Sequence, residues 1–233
     1  AIVEAVAGGD RIEARRAITG RLGDDQSDPP IPIEGPALVA IWAGSLGATR
    51  INTAVNELAE RWADRSDVVL YHVVGRRDWD SHGGPRPDQA MPYVRVAYEE
   101  HMPDLLVAAD LAVCRAGAST VTELAVAGLP AILVPLPHAP RDHQRANTAE
   151  VERAGGAIVV DDHEIDGARL AELLDPLIGD GTRRASMAAA ARSVARPEAA
   201  RDVAELLLQA GGIDPGPRIE PGAEPGATDR SDP

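Results

Sequence analysis

Short apolar, β-prone runs alternate along this chain with longer stretches whose apolar residues recur at helical spacing. The runs are Ala37 to Trp42, Val68 to Val74, Val94 to Tyr98, Leu111 to Cys114, Ala131 to Val134 and Ala157 to Val160, and each predicts a strand. From Thr49 to Trp62 the positions Ile51, Val55, Leu58, Ala59 and Trp62 fall on one helical face. Further helices are predicted at Met102 to Ala109, from Ser119 to the Gly128-Leu129-Pro130 stop, through Asn147, and near Gly167–Ile178, Arg183–Ala195 and Glu198–Ala210. A charged helical pattern opens the chain, with Ile12, Ala14, Ile18 and Leu22 as its apolar stripe and Arg15, Arg16 and Arg21 among its polar positions. Strands alternating with helices predict an α/β fold with an open parallel sheet, in which ligands bind outside the carboxyl ends of the strands.

The polar segments set the domain boundaries. Asp24 to Pro36 holds four prolines in thirteen residues and reads as a linker. Asp78 to Pro92 is Gly/Pro-rich and reads as a mobile loop. Gly211 to Pro233 is rich in Gly, Pro and acids, a composition expected to stay disordered. The expected organisation is a helical lead-in and Pro-rich linker over residues 1–36, a sheet domain over 37–210 and an acidic tail over 211–233.

Composition narrows the functional classes. The chain has 233 residues, is 44% hydrophobic and contains three Trp, three Tyr and no Phe, so its core must be aliphatic. All 23 basic residues are Arg, and the net charge of −14 argues against nucleic acid and against an anionic bilayer as partners. The single cysteine, Cys114, lies inside an apolar run and reads as a buried structural thiol. No run approaches the ~18 apolar residues of a transmembrane helix. The sequence starts at Ala1 without a Met or a signal-peptide pattern, as expected of a fragment of a longer chain.

Three groups of residues carry candidate chemistry, and all fall where strands are expected to end. Gly44-Ser45-Leu46-Gly47 joins a strand to a helix; such a turn can cradle a phosphate, although a plain turn needing glycine for its geometry explains it equally. Gly117-Ala118-Ser119-Thr120 with Glu123 opens the next helix after a strand. Ser119 or Thr120 can cap that helix, its free N–H groups can bind an anion, and the carboxylate of Glu123 is placed to hold ribose hydroxyls. Asp142-His143-Gln144 with Asn147 puts polar groups at another helix start, where Asp142 as an N-cap is the plain alternative. The histidines lack metal-ligand spacing, and no serine-hydrolase elbow is present. The combination points to a nucleotide site with no metal and no cofactor.

These motifs together resemble the MurG family of peptidoglycan N-acetylglucosaminyltransferases. Ala43 to Ala48 followed by Asn52, Tyr98-Glu99-Glu100-His101-Met102, Ala109-Asp110-Leu111, Arg115 through Glu123, Gly128 to Ala131 and Asp142 to Asn147 match the family in order and spacing. The match covers roughly Ala37 to Leu208, the family's C-terminal, donor-binding domain. It implies a Rossmann-like fold, one half of a glycosyltransferase B architecture. It also implies a site for UDP-N-acetylglucosamine, with Gly44, Ser45, Leu46 and Gly47 at the diphosphate. Arg115, Gly117, Ala118, Ser119, Thr120, Val121, Thr122 and Glu123 would line the nucleotide and sugar. The backbone near Glu99 would meet the uracil, and His143, Gln144 and Asn147 belong to the sugar side.

The implied reaction adds N-acetylglucosamine to lipid I, giving lipid II with inversion, at the inner face of the plasma membrane. The family's acceptor half and its expected catalytic base are not in this sequence, so the chain is expected to bind the donor and, alone, not to transfer it. A stand-alone donor subunit completed by a separate acceptor chain, a non-catalytic nucleotide-sugar module, and a related transferase acting on another glycolipid or natural product are the alternatives. Two departures from the family pattern stand out: Ala43 replaces a glycine, and Glu99 replaces an apolar residue, so any uracil contact at Glu99 must come from its main chain.

Overall fold

The protein was analysed as a computed structural model, which describes residues 6, 8–22, 31–44, 48–82, 89–137, 139 and 142–214. Six strands form one parallel sheet in the order β3-β2-β1-β4-β5-β6. They are β1 (Ala37–Trp42), β2 (Val68–Val73), β3 (Tyr93–Val96), β4 (Leu111–Cys114), β5 (Ala131–Leu133) and β6 (Ala157–Val159). The helices are α1 (Arg11–Arg21), α2 (Thr49–Arg61), the one-turn α3 (Trp79–His82), α4 (Met102–Ala108), α5 (Ala118–Ala127), α6 (His143–Ala154), α7 (Gly167–Ile178), α8 (Gly181–Ser193) and α9 (Ala199–Ala210). The expected open parallel sheet is therefore present. Strand order reverses between β1 and β4, whose registers run Val39 opposite Leu111 to Trp42 opposite Cys114.

Both faces of the sheet are covered, which is why its strands read as continuous apolar runs. Successive side chains on β1 enter different cores. Val39 and Ile41 pack with Ile51, Val55 and Leu58 of α2 and Leu170 and Leu174 of α7. Leu38, Ala40 and Trp42 pack with Leu105 of α4, Leu124 of α5 and Ile18 of α1. Burying each such Leu, Ile or Val contributes about 1.5–3 kcal/mol.

The charged face of α1 differs from its expected pattern. Arg15, read as a polar surface position, is 4% exposed, whereas Ile12 of the expected stripe is 38% exposed. The guanidinium of Arg15 is drawn inward because Asp110 waits there, 2.7 Å from Nη2, with the Ala108 carbonyl 3.2 Å from Nε. Asp110 also accepts from Arg11 and from the Leu38 N–H, so it ties α1 to the amino ends of β1 and β4. The segment expected to be a loop from Asp78 instead starts with a buried Asp78 and the turn of α3, and residues 83–88 lie outside the described region.

The chain divides into two compact units, Ala1–Arg196 and Pro197–Pro233. Within the second, α9 exposes Val203, Leu206 and Leu207. Residues 215–233 of the expected tail lie outside the described region. Among the described residues no helix is long and apolar enough to cross a membrane.

Candidate functional site

The carboxyl ends of β1 and β4 lie side by side where the strand order reverses, and a crevice at this point is where doubly wound sheets take their ligands. After β1 the chain turns at Gly44, whose φ of +92° favours glycine and whose missing Cβ faces open space. Ser45, Leu46 and Gly47 lie outside the described residues, and the chain resumes at Ala48, the N-cap of α2. After β4, Gly117 is the N-cap of α5, so Ala118, Ser119 and Thr120 form the first turn of that helix. After β5, Asp142 is the N-cap of α6.

Side-chain capping differs among the helix starts. Ala48, Gly117 and Asp142 provide no side-chain cap to α2, α5 and α6, nor do His101 to α4 and Glu198 to α9. By contrast α1, α7 and α8 are capped by Asp10, Asp166 and Asp180, each accepting from an N–H three residues on. Neither Ser119 nor Thr120 is the N-cap it could have been, because Gly117 takes that position and the helix starts at Ala118. Asp142 occupies the N-cap position in a left-handed conformation, φ 51°, and its side chain makes no capping bond. Among the described residues, no N-cap side chain takes up the first N–H donors of the helices that follow β1, β4 and β5, whose positive dipole ends face the carboxyl edge of the sheet.

Glu123 lies beside this group. Its carboxyl is half-buried, and burial alone holds its pKa above the ordinary carboxylate value. No hydrogen bond or ion pair engages it among the described residues, in contrast to Glu99, Asp78 and Asp110. Its charge reaches the end of β4, where burial first and Glu123 second push the Cys114 thiol up. Cys114 is fully buried, as its apolar setting implied.

The remaining expected site residues divide by how their side chains are used. Glu99 turns inward, accepting from the Tyr71 hydroxyl and, at 2.7 Å, from the His101 N–H, which leaves its main chain as the group it can present. Arg115 spends its guanidinium on the Val134 and Pro135 carbonyls and on Asp162, 2.7 Å away. Gln144 accepts from the Leu136 N–H at 2.9 Å, and Asn147 donates to the Ala116 carbonyl at 3.0 Å. His143, Ser119 and Thr122 are exposed; Thr120 and Val121 are half-buried, and Val121 packs on the core. Asn52, the last residue of the first motif, is wholly buried; it donates to the Val74 carbonyl and to Asp78 and meets Nε2 of His72 at 2.9 Å.

Two residues at this edge escaped the sequence reading. Asp162, in the 3-10 turn Asp162–Glu164 after β6, faces both Arg115 and Arg50. The signals were present: a doubled Asp at a strand end, and an Arg in the first turn of a helix that has no acid there. A cavity of about 420 Å³ lies at the opposite, amino edge of the sheet, lined by Arg11, Asp110, Arg184 and Arg192. Its charged groups answer one another or nearby carbonyls, Arg11 with Asp110, Arg184 with Leu177 and Ile178, Arg192 with Ala127, so it offers no comparable donor set. Among the described residues no His, Cys, Asp and Glu cluster is arranged to hold a metal.

Comparison with known proteins adds to this geometry. The family model of the glycosyltransferase family 28 C-terminal domain matches residues 38–207. The chain is 39% identical over 183 residues to the UDP-N-acetylglucosamine--N-acetylmuramyl-(pentapeptide) pyrophosphoryl-undecaprenol N-acetylglucosamine transferase of Gloeobacter violaceus, covering 78% of this chain and 50% of that protein. The fold superposes on Acinetobacter baumannii MurG with a TM-score of 0.69 at 27% identity, covering 88% of this chain and 55% of the other. It also shares its fold with the C-terminal CMP-Kdo binding domain of WaaA from the same organism, at TM-score 0.52 and 13% identity, over 78% of this chain and 96% of that one. The chain spans about half the length of the curated relatives it matches.

Proposed function

The chain belongs to the glycosyltransferase family 28 C-terminal domain family, and from that premise we propose that it is the UDP-N-acetylglucosamine-binding half of a peptidoglycan N-acetylglucosaminyltransferase. The observation that carries this reading is the half-buried carboxylate of Glu123, unengaged among the described residues, on α5, whose start lacks a side-chain cap at the carboxyl edge where the strand order reverses between β1 and β4.

Each part of the donor has a matching group. The diphosphate lies at the Gly44-Ser45-Leu46-Gly47 sequence motif and the N-termini of α2 and α5, where N–H donors and helix dipoles offset its charge; each dipole end contributes about 0.3–1 kcal/mol, more where water is excluded. Glu123 accepts from the ribose hydroxyls. The main chain at Glu99 meets the uracil edge, its side chain being withdrawn onto Tyr71. The exposed His143 and the amide nitrogen of Gln144 face the sugar hydroxyls, held there by the contacts of Gln144 to Leu136 and of Asn147 to Ala116.

The reaction is an inverting displacement at the sugar carbon by the acceptor hydroxyl, with UDP leaving. Charge builds on the leaving diphosphate in the transition state, and dipoles already fixed around it stabilise that charge without reorganising. The acceptor pocket and the base that deprotonates the acceptor hydroxyl lie in the other half of the enzyme. The acceptor is the muramyl-pentapeptide carried on undecaprenyl diphosphate, and the complete enzyme works against the inner face of the plasma membrane.

Calorimetric titration of the chain with UDP-N-acetylglucosamine, beside UDP-glucose and GDP-mannose, tests the reading. Selective binding of UDP-N-acetylglucosamine is expected. Binding of none of the three, or equal binding of all, would overturn it.

A further inference from the structure

Arg50 breaks a local rule. It stands in the first turn of α2, where a cation faces the positive end of the helix dipole, and no acid in that turn offsets it. Cα–Cβ bonds tilt towards a helix's N-terminus, so a long side chain this early in the helix reaches beyond the terminus, towards the carboxyl edge of the sheet. Arg50 does so, placing Nε 3.2 Å from Oδ2 of Asp162 in the turn after β6. The other carboxylate oxygen of Asp162 is 2.7 Å from Nη2 of Arg115. One carboxylate therefore serves two guanidiniums, and one positive charge is left over beside uncapped helix starts in a chain of net charge −14.

The two arginines are not equivalent. Arg115 has a side chain only 12% exposed, is also bound to two carbonyls, and keeps Nε buried without a hydrogen-bond partner. It is committed to the scaffold. The side chain of Arg50 is 51% exposed and, among the described residues, rests on Asp162 alone. If Arg50 leaves, Asp162 keeps its ion pair with Arg115 at 2.7 Å, a contact by charge in which Oδ1 makes no hydrogen bond, so its charge retains a partner. A diphosphate offers denser negative charge than a carboxylate and forms stronger charge-assisted hydrogen bonds with a guanidinium.

We propose that Arg50 is a diphosphate-binding residue of the donor site, resting on Asp162 when the site is empty and exchanging that carboxylate for a phosphate oxygen when a nucleoside diphosphate arrives. The proposal rests on the donor-site reading above, and its test separates the two. Uridine and UDP are titrated calorimetrically into the full chain, its Arg50→Gln variant and its Arg50→Lys variant, with far-UV circular dichroism as the check on folding. Arg50→Gln is expected to weaken UDP binding about tenfold and leave uridine binding unchanged, and Arg50→Lys to recover part of the loss.

UDP affinity unchanged in Arg50→Gln, or uridine and UDP weakened by the same factor, would reduce Arg50 to a partner of Asp162 and overturn the proposal while the donor reading stands. A wild-type chain that binds neither ligand would overturn the donor reading and this proposal together. Should Arg50→Gln not fold, Arg50→Lys decides alone: it must lower UDP affinity and spare uridine, and full retention of UDP affinity overturns the proposal.

Discussion

Asn147 and Ala116 join two helix starts: the Asn147 side-chain amide, one turn into α6, donates to the Ala116 carbonyl at 3.0 Å, immediately before the N-cap of α5. The bond fixes the spacing between the two N-termini that the donor is to bridge. Asn147→Ala removes the donor and leaves a buried backbone carbonyl unanswered, at a cost of about 1–2 kcal/mol in folding stability. UDP-N-acetylglucosamine affinity should fall by more than uridine affinity, because the sugar and diphosphate span both helices. Urea denaturation and calorimetry on one preparation would check both effects, and equal losses for the two ligands would confine Asn147 to stability.

A buried histidine makes the fold acid-sensitive. His72 lies inside β2 between Tyr93 and Asn52, and its pKa is lowered from 6.5 to about 3, first by burial and then by the nearby charges of Arg95 and His82. The folded chain keeps His72 neutral while the unfolded chain takes up a proton below about pH 6.5, so the unfolded state gains as pH drops. The contribution of His72 should be constant above that point and decline by about 1.4 kcal/mol per pH unit below it, until the folded pKa is reached. Urea midpoints from pH 7 down to about 4.5 would show the slope, and His72→Gln should flatten it.

At the amino edge, Arg15 and Asp110 form a buried pair that docks α1 against β1 and β4. Burial works against the guanidinium, lowering the Arg15 pKa, and Asp110 works to restore it. Arg15→Met would leave Asp110 buried with only Arg11 and the Leu38 N–H as partners. Breaking one side of such a pair costs about 3 kcal/mol or more. Equilibrium unfolding should register that loss, while UDP affinity at the far edge of the sheet stays within error.

How far the sequence could be read follows from which interactions are local. Continuous apolar runs such as Leu38 to Trp42 and the helical stripe of α2 appear in the residues themselves, and so does the strand–helix–strand unit around Gly117. Local pattern failed where a polar side chain finds a partner distant in sequence. Arg15 meets Asp110, Glu99 meets Tyr71, and Arg50 meets Asp162, and no periodicity shows those pairings. Helix boundaries mattered at the site as well. Ser119 and Thr120 looked like caps because of their residue type, yet Gly117 is the N-cap, the helix starts at Ala118, and no side chain caps it. The residues that point to ligand binding are thus those whose local role the fold declines to use.

Glu123 tests whether stability and binding are opposed at this site. Burial raises its pKa and no partner among the described residues lowers it, so the folded chain holds the Glu123 proton more tightly than the unfolded chain does. Ionisation of Glu123 therefore works against folding above that raised pKa, and the penalty fades as pH falls through it. Glu123→Gln removes the charge and keeps the shape, so at neutral pH the variant should melt at or slightly above the wild-type temperature. The same substitution takes a charged acceptor from the ribose hydroxyls and should weaken UDP binding by about 1–3 kcal/mol. Wild-type affinity should also decline on acidification at a higher pH than an ordinary carboxylate would impose, a decline missing in Glu123→Gln. Differential scanning calorimetry with UDP titrations across pH would measure both sides. A lower melting temperature with unchanged UDP affinity would make Glu123 a structural residue and shift the ribose contact elsewhere on α5.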